Sequence, residues 1–175
     1  MIVEVTRGTL STFKEVILKT EEVFPSELRT PWEDYEYMLL SDRSIALIMT
    51  HEGMPVGNIF GCVLHAEEME ELGVSDPDAL YIFSFAIDHE FQGKGLGKML
   101  LNEFIARARE RKFPSIVGHF RMNSSLALIK KVGGVEKGLF ENWDGTNESV
   151  VFCELDLRIP PLQVQPLQVP VAMPS

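Results

Sequence analysis

The residues best suited to chemistry lie in one stretch, Leu80 to Leu101, LYIFSFAIDHEFQGKGLGKMLL. Gly93, Gly95 and Gly97 occupy alternate positions after a short polar turn, Asp88 to Gln92. The run that follows has apolar residues at Leu96, Met99, Leu100, Phe104 and Ala108, spacings of three and four that predict a helix. Ahead of the turn, the apolar run Leu80 to Ile87 predicts a buried strand. Strand, glycine turn and helix together aim backbone N–H groups and a helix N-terminus at one point, which suits a phosphate. Glycine leaves no Cβ in the way of such a ligand, although the same three residues would equally serve a tight turn that binds nothing.

The type of loop can be narrowed. A P-loop, G-x-x-x-x-G-K-[ST], fails because Lys98-Met99 stand where glycine and lysine belong. A dinucleotide fingerprint, G-x-G-x-x-G, needs glycine at Lys98 and an acidic residue about 20 positions on, where the chain reads Ser115 to Gly118. What remains is Gln92-x-x-Gly95-x-Gly97 after a strand ending Ile87-Asp88. FAIDHEFQGKGLGKMLL resembles the acetyl-coenzyme A motif, Q/R-x-x-G-x-G/A, of the GNAT family of N-acetyltransferases. The likeness extends more loosely from about residue 1 to Leu157.

The resemblance implies an α/β fold, a central mixed and mostly antiparallel sheet flanked by about four helices. It implies acetyl-coenzyme A as cosubstrate and no metal. The pyrophosphate falls to the backbone of Gln92, Gly93, Lys94, Gly95, Leu96, Gly97 and Lys98, and the pantetheine arm to Phe85, Ala86 and Ile87 as an added strand. A backbone N–H there would polarise the thioester carbonyl. Asn123 keeps a family-like place beside the arm.

An alkylamine arrives mostly protonated and benefits from a base. His119 occupies the place where ribosomal-protein N-terminal acetyltransferases carry a glutamate base; it reads either as that base or as a satisfied or surface histidine. Acidic side chains of the connection before the central strand, acting through water, compete for the role. Many relatives carry N-x-x-(A/S)-x-x-L-Y-x-x-x-G-F, whose tyrosine protonates the departing thiolate; here Ile129 stands in its place. The thiolate then leaves unassisted or another group serves. Tyr81 is either that group or a core aromatic, and Lys130 is expected to meet a phosphate. Trp32, Tyr35 and Glu36, with Ser84 and the Asn142-Trp143 turn, are expected to line the acceptor pocket or to pack the core. The implied activity is transfer of acetyl to a primary amine, on a small amine, an amino acid or a protein N-terminus, by direct attack in a ternary complex. The alternative is a GNAT-fold acyl-coenzyme A binding or sensing protein with little catalysis.

The remaining elements must position these groups. Met1 to Thr6 reads as an opening strand, Ser11 to Val23 as a helix ended by Pro25, and Thr30-Pro31-Trp32-Glu33 as the capped start of a second helix. Ser44 to Thr50 and Val56 to His65 form a hairpin about Gly53-Met54-Pro55. Ala66 to Asp78 is a long acidic connection, read as a solvated helical turn and loop or as a negative rim to an acceptor channel. After the central helix come a strand, Ser115 to Arg121, and a short helix, Asn123 to Val132. Val135 to Phe140 and Glu148 to Leu157 close the domain as a hairpin.

Residues 1–158 are therefore expected to form one domain. The segment 159–175 holds half the chain's 10 prolines and repeats PLQV at Pro161 and Pro166, so it is expected to be flexible or laid on a neighbour in a homodimer. Cys62 and Cys153 lie in separate predicted strands, consistent with buried free thiols in a reducing cytoplasm. No apolar run approaches the roughly 18 residues of a membrane span, and MIVEVTRGTL lacks a signal-peptide pattern, so no membrane partner is expected. A net charge of −10 argues against a nucleic-acid partner. It is compatible with steering a cationic amine, and equally with plain solubility.

Overall fold

Apolar runs such as IALIM and IFSFAI have no polar alternation, so their strands must be covered on both faces. The computed structural model, which describes residues 1–39 and 43–159, meets that demand with one central sheet and helices on either side. The chain runs β1 (Ile2–Glu4), α1 (Lys14–Thr20), α2 (Trp32–Leu39), β2 (Ser44–His51), β3 (Met54–Val63), α3 (Ala66–Leu72), β4 (Leu80–Ile87), α4 (Leu96–Glu110), β5 (Ser115–Arg121), α5 (Ser124–Lys131), β6 (Val135–Phe140) and β7 (Val150–Asp156). The seven strands lie in the order β1-β2-β3-β4-β5-β7-β6, antiparallel throughout except for β4 beside β5. The expected mixed, mostly antiparallel sheet is present. The Pro-rich stretch from residue 160 lies outside the described residues.

Alternation along β2 builds both cores. Ile45, Leu47 and Met49 join α4 residues Leu100, Leu101, Phe104, Ile105 and Ala108, together with Ile129 of α5. Ala46 and Ile48 point the other way, onto Ile17 of α1 and Tyr35 and Leu39 of α2. A third cluster, beneath α3, gathers Cys62, Tyr81, Val117 and Phe152. Phe104 is wholly buried, and its truncation to alanine is worth about 3–5 kcal/mol by the usual transfer and cavity terms.

Two elements differ from the sequence expectation. The first helix is broken: short 3-10 turns, Leu10–Phe13 and Glu21–Val23, flank α1 before Pro25. The acidic connection is the expected helical turn and loop, but long enough to count as a fifth helix, α3, capped by His65, whose backbone N–H donates to Glu68 Oε1 at 3.2 Å, and ended by left-handed Gly73. His65 is not among the usual N-cap residues, and only Met69 and Leu72 of α3 pack inward, so the helix signal is weak.

Candidate active site

The parallel ladder between β4 and β5 is short. It pairs Leu80 with Ile116, Tyr81 with Val117 and Ile82 with Gly118, then stops, although the strands continue to Ile87 and Arg121. The next residue of β4, Phe83, is a bulge: Ile82 faces Gly61 of β3 and Ser84 faces Phe60, leaving Phe83 unopposed. Such a bulge bends a strand and increases its twist. The separated strands open onto a cavity of about 480 Å³ bordered by Phe85, Ile87, Gly97, Asn123, Leu128 and Lys131. Along this side the backbone of Phe83–Ile87 has no ladder partner on β5.

One end of the cavity is the glycine turn. Gly93 and Gly95 have φ of 79° and 80°, the left-handed region where side chains are strained, and nothing lies within 4 Å of where their Cβ atoms would be. Gly95 caps α4, whose first turn closes with Met99 N–H donating to the Gly95 carbonyl at 3.2 Å. The N–H groups of Leu96, Gly97 and Lys98 therefore precede the helical ladder and face outward from its positive end. Gly97 packs close to α5: a Cβ there would sit 3.1 Å from Leu128 Cδ1, so that side chain would have to shift by a few tenths of an ångström. The Gln92 side-chain amide donates to the Ile87 carbonyl at 2.9 Å, fastening the turn to the end of β4.

The cations sort themselves. Lys98 and Lys131 border the cavity, while Lys94 lies over the Phe91 ring, 5.2 Å from its centre. Lys130, expected near a phosphate, pairs with Glu136 at 2.6 Å on the surface, and its neighbour Lys131 borders the cavity. Asn123 borders the cavity and caps α5, its Oδ1 accepting from Ser125 N–H at 3.0 Å and from Ser125 Oγ–H at 2.7 Å.

Tyr81 and His119 are brought together, but as a closed pair. The Tyr81 hydroxyl lies 2.8 Å from His119 Nδ1, and burial pushes its pKa well above the usual phenol range, so it keeps its proton. Among the described residues it has no other acceptor, so it donates to Nδ1. That fixes the proton of a neutral imidazole on Nε2, which is buried without a hydrogen-bond partner. Trp143 stacks on the ring at 4.4 Å, Phe140 meets it edge-on at 4.6 Å and Phe152 lies at 4.9 Å. Burial lowers the His119 pKa to about 4, an effect the nearby Leu72 backbone offsets only in part. The ring is thus neutral, with its one lone pair already taken by Tyr81. Tyr81 does not border the cavity, and Ile129, in the place of the family tyrosine, is buried in the core.

The expected acceptor wall is divided. Ser84 borders the cavity; Trp32, Tyr35 and Glu36 do not. Trp32 is half-buried beneath Lys14 Nζ, and Glu36 is exposed. Tyr35 is fully buried and donates its hydroxyl to Glu21, a residue that sequence reasoning missed. Glu21 is itself buried, accepting from Thr30 N–H at 2.9 Å and facing Ser84 Oγ at 3.4 Å. Burial raises its pKa to about 7 against the opposing hydrogen bonds and the field of Arg29. Asn58, wholly buried on β3, links Ser84 to Thr20. Glu21 and Asn58 carry no sequence signal of their own, since TEEVFP reads as an ordinary solvated helix end.

Splayed strands beside a glycine turn and a helix N-terminus form a cleft suited to an anionic ligand with an amide-bearing arm. A model of the acetyltransferase (GNAT) family matches residues 11–133, and the chain belongs to that family. No curated protein matches it. The ribosomal-protein-S18-alanine N-acetyltransferase from Escherichia coli is 18% identical with a TM-score of 0.68, over 90% of this chain and 94% of that one. The aminoglycoside 6'-N-acetyltransferase from Enterococcus faecium is 13% identical with a TM-score of 0.67, over 91% and 98%. The GphF GNAT-like decarboxylase in complex with isobutyryl-CoA is 17% identical with a TM-score of 0.69, over 90% and 100%. At these identities the likeness shows the fold alone.

Proposed function

We propose that the protein transfers an acetyl group from acetyl-coenzyme A to a primary amine, by direct attack in a ternary complex. The observation that carries this reading is the end of the β4–β5 ladder after Ile82 and Gly118, beside a helix N-terminus with free N–H groups. The residues fit the cosubstrate. The pyrophosphate would sit on the N–H groups of Gln92 to Lys98, with Lys98 and Lys131 for charge. The amide-bearing arm would pair with the open edge of Phe85, Ala86 and Ile87, past Asn123, and a backbone N–H of that edge would polarise the thioester carbonyl, an effect typically worth about 3–4 kcal/mol. The acceptor would be a small amine, an amino acid or a protein N-terminus, in a cytoplasmic setting consistent with the buried free thiols of Cys62 and Cys153. His119 borders the cavity, but because its lone pair is engaged by Tyr81, we give it the part of a wall residue rather than of base.

Thermal unfolding tests the donor half. Acetyl-coenzyme A at about 100 times its Kd is expected to raise Tm by about 5–10 °C, and no shift would sink the reading. Following thiol release over alkylamines, amino acids and N-terminal peptides tests the acceptor half. Burial of Ile129, with Tyr81 turned away, favours a second reading, an acyl-coenzyme A sensor. It predicts stabilisation with no thiol release from any acceptor.

A further inference from the structure

The buried carboxyl of Glu21 has no part in holding a donor, and its surroundings are unusual for a structural acceptor. Its hydrogen-bond partners are all uncharged: the Tyr35 hydroxyl from α2, the Thr30 N–H from the preceding loop, and Ser84 from β4. The charged group whose field reaches it, Arg29, spends its guanidinium on the carbonyls of Phe24 at 2.9 Å and Glu22 at 3.4 Å. A buried anion without a paired cation is destabilising. One placed behind a cavity wall favours whatever brings a positive charge there.

The proton positions follow from the neighbours. Thr20 Oγ1 donates to the Ile17 carbonyl at 2.8 Å, so it accepts from the Asn58 amide. That turns Asn58 Oδ1 toward Ser84 Oγ, 3.0 Å away. The Ser84 hydroxyl therefore has one proton and two acceptors, Asn58 Oδ1 and Glu21 Oε1. With Glu21 ionised, Ser84 can give its proton to the carboxylate. With Glu21 protonated, the carboxyl donates to Ser84 Oγ and Ser84 donates to Asn58. The hydroxyl reorients between two bonded states, and Ser84 is the member of this chain that borders the cavity.

We infer that Ser84 and Glu21 form a proton relay that takes the proton of an incoming ammonium, with Asn58 orienting the serine; the inference rests on the transferase reading. An ammonium N–H donates to Ser84 Oγ, Ser84 passes its own proton to Glu21 Oε1, and the neutral amine remains in the cavity. Its lone pair forms the new C–N bond at the thioester carbonyl, and the C–S bond breaks with its electron pair on sulfur. The second amine proton goes to the departing thiolate, giving the amide and a thiol, and Glu21 later returns its proton to solvent. The burial that raises the Glu21 pKa to about 7 makes it a stronger base than an exposed carboxylate while leaving it substantially ionised at neutral pH.

The test compares two nucleophiles, an alkylamine that arrives almost wholly protonated and hydrazine, a far weaker base that is about half neutral at pH 8 and depends much less on a relay. Thiol release from acetyl-coenzyme A is followed from about pH 5 to 9. For the wild type, kcat/KM for the alkylamine is expected to rise through an inflection near the Glu21 pKa of about 7. Glu21→Gln and Ser84→Ala are expected to remove that inflection and to lower the ratio of alkylamine to hydrazine turnover by about 100-fold. Ser84→Thr, which keeps the hydroxyl, restores most of it. An inflection that persists in Glu21→Gln, or an equal fall with both nucleophiles, overturns the relay. If the wild type releases thiol with neither nucleophile, the transferase reading has failed on its own. The relay is then judged by the infrared carboxyl band: one that titrates near neutrality and vanishes in Glu21→Gln supports it, and a carboxylate ionised throughout from about pH 5 overturns it.

Discussion

Glu21, buried, and His119, half-buried, are titratable groups on the same side of the sheet, flanking the splayed strands, and one cause displaces them in opposite senses. Loss of solvent disfavours charge, so the Glu21 carboxyl rises to about 7 and the His119 imidazole falls to about 4. Their surroundings differ in kind. Glu21 is met by hydroxyl and N–H donors, which solvate an anion. His119 is walled by Trp143, Phe140 and Phe152, and only the Leu72 backbone favours its charged form, without coming into hydrogen-bond geometry with Nε2. The first site is built to change charge near neutral pH, and the second to stay uncharged. A titratable side chain in the expected place is therefore not enough; the groups that solvate its charged form decide whether it moves protons.

The largest effect that probes this contrast is the pH dependence of stability. Glu21 has a folded pKa raised above its ordinary 4.5, so the stability it permits below 4.5 is lost as pH rises toward about 7. At 1.36 kcal/mol per pH unit, this one group accounts for roughly 3 kcal/mol. Glu21→Gln should abolish that slope, checked by urea unfolding at several pH values. If wild type and variant run parallel between about pH 5 and 7, the carboxyl is not displaced by burial.

Tyr35→Phe comes next. It removes a donor from a buried anion, and hydrogen bonds to charged groups are worth about 1.5–3 kcal/mol. We expect a loss of about 2 kcal/mol at pH near 8, shrinking toward pH 5, where Glu21 is protonated. A loss independent of pH would place the Tyr35 contribution in its packing on Phe60 and Phe83 instead.

How much of this was legible depends on distance along the chain. The glycine turn, its flanking strand and its helix are contiguous, so Gln92, Gly95 and Gly97 could be read from spacing and family likeness together. Glu21 meets Tyr35 across 14 residues and Ser84 across 63, and no local pattern distinguishes it from Glu22 beside it. The aromatic enclosure of His119 is likewise assembled from β6, β7 and the turn between them. Lys130 and Lys131 differ only by a step of about 100° around a helix, and packing decides which faces the cavity. Tyr35 and Ser84 were marked for the acceptor wall, and Ser84 alone borders the cavity, because β4 bulges at Phe83 while α2 turns its tyrosine into the core.

His119 gives the mirror image of the Glu21 slope. Its folded pKa is lowered from an ordinary 6.5, so the stability present above that value is lost as pH falls toward about 4. The ring is only partly buried, and after solvent screening we expect about 1–2 kcal/mol. His119→Phe should flatten this acid limb, so the two single variants unmask slopes of opposite sign that partly cancel in the wild type.

The smallest effect concerns the pair itself. Tyr81→Phe removes one neutral hydrogen bond, worth about 1 kcal/mol, and leaves His119 Nδ1 unpaired as well as Nε2. Losing a donor that favours the neutral ring should also raise the His119 pKa and shrink the acid limb. His119→Phe alone strands the buried Tyr81 hydroxyl instead. Replacing both partners with phenylalanine strands neither, so the double variant should be less destabilised than the sum of the singles, a coupling on the order of 1 kcal/mol that a double-mutant cycle reads directly. Strict additivity would mean that the two side chains do not depend on each other, and the assignment of the Nδ1 lone pair to Tyr81 would fall with it.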